Sequence, residues 1–258
     1  NQKRMPEALS ELESVININP KNEAAWVTSL QILADKEDTV AILDLTERGI
    51  RELPKIPQFY FYRSMAQYQQ GNYEAALQTN EEALKNVDTA PASVISSFYG
   101  QIGDIWYKLS NKEKAFANYE KALEQNPGNV YVMNNYAYYL SEEKLDLRKA
   151  ERMSGKTVEL EPKNSTYLDT YAWILYQQGN YSLAKFYIER AVDNLEKEHD
   201  PGVILEHYGD ILQALNDRKK AVEIWQKALD AGITDEALKA KIEKTKQEIE
   251  YENESKNK

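Results

Sequence analysis

Residues 96–129, SSFYGQIGDIWYKLSNKEKAFANYEKALEQNPGN, contain two helical patterns separated by a short polar turn. In the first half, the key residues recur at intervals of three and four, which places them on one face of a helix. Small residues in both halves let two helix axes approach to about 8 Å, while larger residues fill the space between them. A proline near the end lacks a backbone N–H and ends the second helix. Numbered from Ser96, the pattern consists of Tyr99 at 4, Ile102 at 7, Gly103 at 8, Trp106 at 11, Ala115 at 20, Tyr119 at 24, Ala122 at 27 and Pro127 at 32.

This segment resembles the tetratricopeptide repeat, a helix–turn–helix unit of about 34 residues. The pattern recurs along the chain in six units, at intervals of 34 to 39 residues. The unit from Val130 carries one extra residue near its turn, and the unit from Glu23 keeps the fewest signature residues. The six units start at Glu23, Pro57, Ser96, Val130, Ser165 and Gly202.

The resemblance implies an all-α fold, a right-handed superhelical solenoid of antiparallel helix pairs that forms one stack without separate domains. The composition agrees, because only 8 prolines and 10 glycines interrupt many good helix formers. A last helix at residues 234–252 is predicted to cap the stack, because Leu238, Ile242, Thr245 and Ile249 share one face. The predicted organisation is a partial repeat (helix B) at residues 1–22, repeats at 23–56, 57–95, 96–129, 130–164, 165–201 and 202–233, a capping helix at 234–252 and a tail at 253–258.

The repeat phase places Pro20 at position 32, so the chain opens in a helix B, and Pro6 suits its first turn. Since no helix A precedes it, we expect the apolar side chains of Leu9, Leu12 and Ile16 to be exposed. We therefore predict that the natural protein extends upstream by at least one helix.

The formal charge of -10 makes nucleic acid an improbable partner, because acidic surfaces repel the phosphate backbone. No apolar run of about 18 residues exists, so we expect no membrane insertion. The chain has no cysteine, which excludes disulfides, thiolate metal sites and cysteine nucleophiles but leaves the compartment open. Residues 167–184 and 204–215 also resemble the C-terminal arrays of bacterial tetratricopeptide proteins, some of which work in the cell envelope. This resemblance favours the envelope over the cytoplasm.

Three patterns that could indicate catalysis have simpler explanations. Residues 150–157, AERMSGKT, end like a phosphate-binding loop, but the first glycine is replaced by Ala150 and the segment falls inside a helix B. His199 and His207 lack the spacing of a metal site, and a solvent-facing or interhelical hydrogen-bonding role is expected for them. Acidic pairs such as Glu142–Glu143 point to different sides of a helix. We therefore predict no enzymatic activity, metal or cofactor.

In the tetratricopeptide family, helix A lines the concave side, and its positions 2, 5, 9, 12 and 13 commonly face a bound segment. The resemblance implies the same here, so the groove would be aromatic and acidic. The alternative for each member is packing against the neighbouring helix A. The candidate partner-binding residues are Phe61, Tyr68, Asp104, Tyr107, Tyr131, Asn134, Tyr138, Asp169, Trp173, Tyr176, Glu206 and Asp210.

Aromatic side chains with a polar group are common binding hot spots. We predict a protein-binding scaffold that holds an extended peptide or partner segment with basic and apolar side chains. The family subtype that grips acidic chaperone tails is set aside, because position 5 carries no lysine in any of the six units. Glycan or small-molecule binding and self-association through the ends of the stack remain alternatives. The sequence does not indicate the oligomeric state.

Overall fold

The computed structural model describes residues 5–195 and 201–256, and within these ranges it contains fourteen α-helices and no strand. The predicted all-α class is therefore confirmed. Most helices run for 13 or 14 residues. They are α1 (Met5–Ile18), α2 (Glu23–Asp35), α3 (Thr39–Glu52), α4 (Pro57–Gln69), α5 (Tyr73–Asn86), α6 (Ala92–Lys108), α7 (Lys112–Gln125), α8 (Val130–Glu142), α9 (Leu147–Leu160), α10 (Ser165–Gln177), α11 (Tyr181–Asp193), α12 (Gly202–Ala214), α13 (Arg218–Asp230) and α14 (Glu236–Lys256).

The chain divides into two compact units, unit 1 (Asn1–Val132) and unit 2 (Met133–Lys258). In unit 1, each helix from α1 to α7 packs on the next, and α4 also contacts α2 and α6. In unit 2, each helix from α9 to α14 packs on the next, and α10 also contacts α12. Each unit is thus a stack of helix pairs in which one helix A contacts the following helix A.

The turn between the two helices of a repeat has the same backbone in all six repeats. Position 15 has a positive φ, and the backbone N–H of position 16 donates to the carbonyl of position 11, which satisfies the end of helix A. Between α8 and α9 the extra residue makes the link longer, and Asp146 there also has a positive φ of 33°. The six residues at position 15 are Glu37, Gly71, Ser110, Lys144, Gly179 and Asn216.

The core of unit 2 runs continuously from α9 to α14. It contains Trp225, Ile211 and Ile188, which are fully buried, and the cluster closes on Leu238 and Ile242 of α14. Thr245 is buried on the same face. The last helix therefore contributes directly to the apolar core.

Two helices differ in length from the expected repeat boundaries. Helix α14 continues to Lys256, into the segment expected to be a tail, because neither proline nor glycine follows to stop it. Helix α6 begins at Ala92 rather than Ser96, directly after Pro91, whose φ of -54° suits a helix start.

The apolar side chains of α1 are packed more closely than the sequence led us to expect. Ile16 is only 3% exposed, so its expected exposure was wrong. Leu9 and Leu12 are partly buried against the same cluster of α2 and α3 residues. Helix α1 thus hides this face against its own unit. Val15 and Ile18 are the large apolar residues of this helix that remain exposed.

Among the helices of residues 5–195 and 201–256, none is both long and apolar enough to cross a bilayer.

Candidate partner-binding surface

Asp104 in α6 is buried and accepts two tyrosine hydroxyl hydrogen bonds. Tyr119 in α7 donates to Oδ1 at 2.5 Å, and Tyr131 in the first turn of α8 donates to Oδ2 at 2.7 Å. Hydrogen bonds to a carboxylate are among the stronger ones in proteins. Asp104 therefore joins α6, α7 and the first turn of α8 rather than presenting a bare carboxylate to a partner.

Asp210 in α12 occupies the same repeat position in unit 2 and is bonded in a similar way. The indole Nε1 of Trp225 donates to Asp210 Oδ1 at 2.9 Å, and Lys241 Nζ of α14 lies 2.6 Å from the same oxygen. Lys241 is also 3.9 Å from the carboxylate of Glu206. Burial raises the pKa of Glu206, and the positive charge of Lys241 opposes that rise.

A glycine precedes each of these aspartates and makes room for the aromatic donor. A Cβ on Gly103 would lie 2.6 Å from the ring of Tyr119, and one on Gly209 would lie 2.2 Å from the ring of Trp225. In both repeats the aromatic donor follows its aspartate by 15 residues. A Gly-Asp dipeptide followed by Tyr or Trp 15 residues after the aspartate is therefore a sequence signal for this hydrogen bond. The repeat position of these aromatic donors predicts only that they pack between the two helices.

Asp169 in α10 is hydrogen-bonded to His207 in α12. The distance from Asp169 Oδ1 to His207 Nδ1 is 2.9 Å, and both side chains are buried. The interhelical hydrogen-bonding role expected for His207 is therefore confirmed. Burial lowers the pKa of His207, but the charge and the hydrogen bond of Asp169 outweigh this effect and raise it overall.

Trp173 in α10 is held on several sides. Its ring stacks on His207 with centroids 4.0 Å apart and on Tyr176 with centroids 4.7 Å apart. Its Nε1 donates to Glu142 of α8 at 2.6 Å. Only 9% of Trp173 is exposed. The residue thus joins α8, α10 and α12, as the packing alternative describes, and leaves little of its surface to a partner.

The remaining aromatic candidates keep part of their surface exposed. Tyr131 is the most open at 50% exposed, although its hydroxyl is bound to Asp104. Burial raises the pKa of Tyr176, and so do Asp210 and Tyr181. The pKa of Tyr68 is also raised, chiefly by burial. The partly exposed aromatic candidates are Phe61, Tyr68, Tyr107, Tyr131, Tyr138 and Tyr176.

Asn134 in α8 is buried with one amide atom unsatisfied. Its Nδ2 donates to Asn135 at 3.3 Å, while its Oδ1 has no hydrogen-bond partner. The structure therefore brings Tyr138, Asp169, Trp173 and Tyr176 of unit 2 into one connected network around His207. Asn134 is bonded to Asn135 instead.

The segment that ends like a phosphate-binding loop is helical, as its simpler explanation predicts. Residues 150–157 lie inside α9, where Gly155 is helical and a Cβ added to it would lie 3.7 Å from the ring of Tyr171. His199 lies outside the described residues. No group of three or more potential metal-ligating side chains is found among the residues whose positions are described.

Comparison with known proteins places these features in a family. Models described as tetratricopeptide repeat match residues 40–91, 96–129, 118–152 and 166–194, which together make up more than half of the chain. The chain belongs to the tetratricopeptide-repeat family. Tetratricopeptide proteins generally act as non-enzymatic scaffolds that bind proteins or peptides, and the chain has the fold that supports such a role.

Similar solved structures are also tetratricopeptide solenoids. A tetratricopeptide repeat protein from Parabacteroides merdae has a TM-score of 0.67 at 18% identity, covering 95% of this chain and 93% of that one. The Cut9–Hcn1 complex has a TM-score of 0.76 at 10% identity, covering 96% of this chain and 47% of that one. The PilF protein of Pseudomonas aeruginosa has a TM-score of 0.58 at 20% identity, covering 70% of this chain and 79% of that one. Identities this low show a shared fold alone.

One curated relative shares a short stretch with this tetratricopeptide protein. The uncharacterized protein ycf37 from Pyropia yezoensis is 37% identical over 73 residues. The match covers 28% of this chain and 40% of that protein, so the chain spans less than half of the relative.

Proposed function

We propose that the chain binds an extended segment of a partner protein on the helix-A faces of its units. The observation that carries this proposal is the state of Tyr131. Half of its surface is exposed, while its hydroxyl is fixed to the buried Asp104 at 2.7 Å. An aromatic ring that is open to solvent and already held in one position loses little conformational entropy when a partner covers it. Such rings are common binding hot spots.

Unit 2 offers a second surface of the same kind. Tyr176 is partly exposed, and its ring is stacked on Trp173, which is itself fixed by Glu142 and His207. Tyr138 is also partly exposed and lies 6.5 Å from the ring of His207. These contacts support a pair of accessible rings on an ordered base.

The hydrogen bonds of the carboxylates indicate which kind of partner to expect. Asp104, Asp169 and Asp210 each accept hydrogen bonds within the chain. They therefore pair less strongly with a basic segment than three unbonded carboxylates would. We expect a partner segment that contributes mainly apolar side chains and backbone groups. Basic side chains would speed its association through the overall negative charge, and the association rate would then fall as salt rises.

The test compares two aromatic rings on helix-A faces with a half-exposed ring on a helix B. Random linear peptides displayed on phage are selected against the intact chain, and the best binders are synthesised. Their affinities are then measured for the Y131A, Y131F and Y176A variants. The control is F186A, because Phe186 on helix B α11 is 55% exposed but does not belong to the helix-A face. Circular dichroism verifies that each variant remains folded.

We expect Y131A or Y176A to weaken binding by about 2 kcal/mol, roughly thirtyfold, and F186A to change it by no more than about 0.5 kcal/mol. Y131F keeps the ring but loses its anchor, so it should show an intermediate loss. Equal affinities for all four variants would refute the helix-A face as the site. Failure to select any peptide, together with a positive glycan array that responds to Y131A, would favour the glycan alternative.

A further inference from the structure

His207 lies at the centre of a group of carboxylates in unit 2. Asp169 of α10 contacts it directly, and the charges of Asp210 on α12 and Glu142 on α8 also stabilise its protonated form. Glu206 is the adjacent residue on α12. Lys241 of α14 pairs with both Glu206 and Asp210.

The same imidazole contacts the rings of the proposed binding surface. It stacks on Trp173 at an interplanar angle of 13°, and Trp173 stacks on Tyr176 at 11°. We call these three residues, Tyr176, Trp173 and His207, the aromatic row. Tyr138 of α8 lies beside the row, 6.5 Å from His207. A change at His207 therefore reaches the accessible tyrosines through direct ring contacts.

We propose that His207 is a positioning residue for the helix-A face of unit 2, and that its protonated form holds the aromatic row in the arrangement that binds a partner. This inference rests on the proposed function of that face. It assigns a role to a residue that the pattern of inner repeat positions passes over, because His207 stands at position 6.

The physical reason is the balance of charge between three helices. When His207 is protonated, it neutralises Asp169 and attracts Glu142 and Asp210, so it draws α8, α10 and α12 together. When it loses its proton, the buried Asp169 keeps at most a hydrogen bond from a neutral imidazole, and the carboxylates on three helices repel one another. The stacked rings between these helices then lose the ion pair that fixes their spacing.

The primary test follows the row itself and needs no partner. The ring C–H signals of the two histidines and the indole N–H signal of Trp173 are recorded by NMR from pH 5 to pH 9. The variants H199Q and W173F assign the signals. H207Q removes the titrating group while leaving an amide that can donate to Asp169, and H199Q is the matched control. Circular dichroism at each pH shows that the fold is retained.

In the wild type and in H199Q, we expect the chemical shift of the Trp173 indole N–H to change with pH at the same midpoint as the His207 ring signals. In H207Q it should stay constant over the same range. A Trp173 signal that is constant in the wild type, or that moves equally in H207Q, would overturn the inference. So would a His207 midpoint below the ordinary histidine value of about 6.5.

A second measurement separates this inference from the proposed function. Peptides that depend on Tyr176 should bind roughly tenfold more weakly above the His207 midpoint than below it, which corresponds to a one-unit difference in the pKa of His207 between bound and free protein. H207Q should show no such change. Affinity that is independent of pH in the wild type refutes the positioning role. If no peptide depends on Tyr176 while Trp173 still follows His207, the proposed function fails in unit 2 and the structural coupling stands.

Discussion

Replacing Gly209 by alanine should destabilise unit 2, although alanine is the better helix former. A Cβ at this position would lie 2.2 Å from Trp225 Cδ1 and 2.3 Å from its Nε1, whereas ordinary contacts begin at 3.4 Å. The indole must therefore move by about 1.2 Å. Trp225 is fully buried and donates to Asp210 at 2.9 Å, so this movement both strains the core and breaks a hydrogen bond to a carboxylate.

The magnitude follows from these opposing effects. Overpacking a core costs about 1–3 kcal/mol, and losing a hydrogen bond to a charged group costs about 1.5–3 kcal/mol. The better helix propensity of alanine returns about 1 kcal/mol. We therefore expect G209A to lower the free energy of unfolding by about 1.5–5 kcal/mol, measured by urea denaturation with circular dichroism and tryptophan fluorescence.

Gly155 provides the matched control, because it is also a helical glycine of unit 2. A Cβ there would lie 3.7 Å from Tyr171, an ordinary contact distance. G155A should therefore raise the free energy of unfolding by about 0.5–1 kcal/mol. If both substitutions shift stability in the same direction, or if G209A stabilises, the close packing of Trp225 on Gly209 cannot be as described.

Three further substitutions and titrations test other contacts. W173F keeps the stack but removes the hydrogen bond to Glu142, so we expect the free energy of unfolding in urea to fall by about 1–2 kcal/mol. W173A should lower it by about 3–5 kcal/mol. Equal losses for the two variants would contradict the role of the indole N–H. K144G relieves a φ of 53° in the turn before α9 and should raise the thermal midpoint, with a gain of about 0.5–1 kcal/mol. The raised pKa of His207 means that its stabilising contribution is complete below about pH 6.5 and is lost as the pH rises through its folded value. The urea midpoint of the wild type should fall over that range, and a parallel fall in H207Q would rule out His207 as the cause.

The sequence predicts the helical class and the family because the repeat uses local rules. Small residues such as Ala115 and Ala122 recur at fixed spacing, and the spacing alone indicates two packed helices. These rules did not predict the start of α6, because the helix begins directly after Pro91, earlier than the repeat phase requires. They did not predict the burial of Ile16 either, because the packing of α1 depends on the surfaces of α2 and α3.

The candidate site is harder to predict, because the state of each side chain depends on helices distant in sequence. Repeat phase places Asp169 and Trp173 on the helix-A face, but their partners are His207, 38 residues beyond Asp169, and Glu142, 31 residues before Trp173. Position within a repeat indicates which way a residue points. It does not indicate whether a neighbouring helix already uses that side chain. The partner-binding role of the twelve candidates therefore stays a prediction.

The residues at positions 8 and 24 limit how this protein could be rebuilt by exchanging its repeats. Gly209 accommodates Trp225, Gly103 accommodates Tyr119, and Ser64 accepts a hydrogen bond from Asn80. A chimera that joined the first helix of one repeat to the second helix of another would leave a void, a steric clash or an unpaired amide. Although the backbone turns are alike, the repeats are matched pairs rather than interchangeable modules. Recombination or consensus engineering would have to move both helices of a pair together.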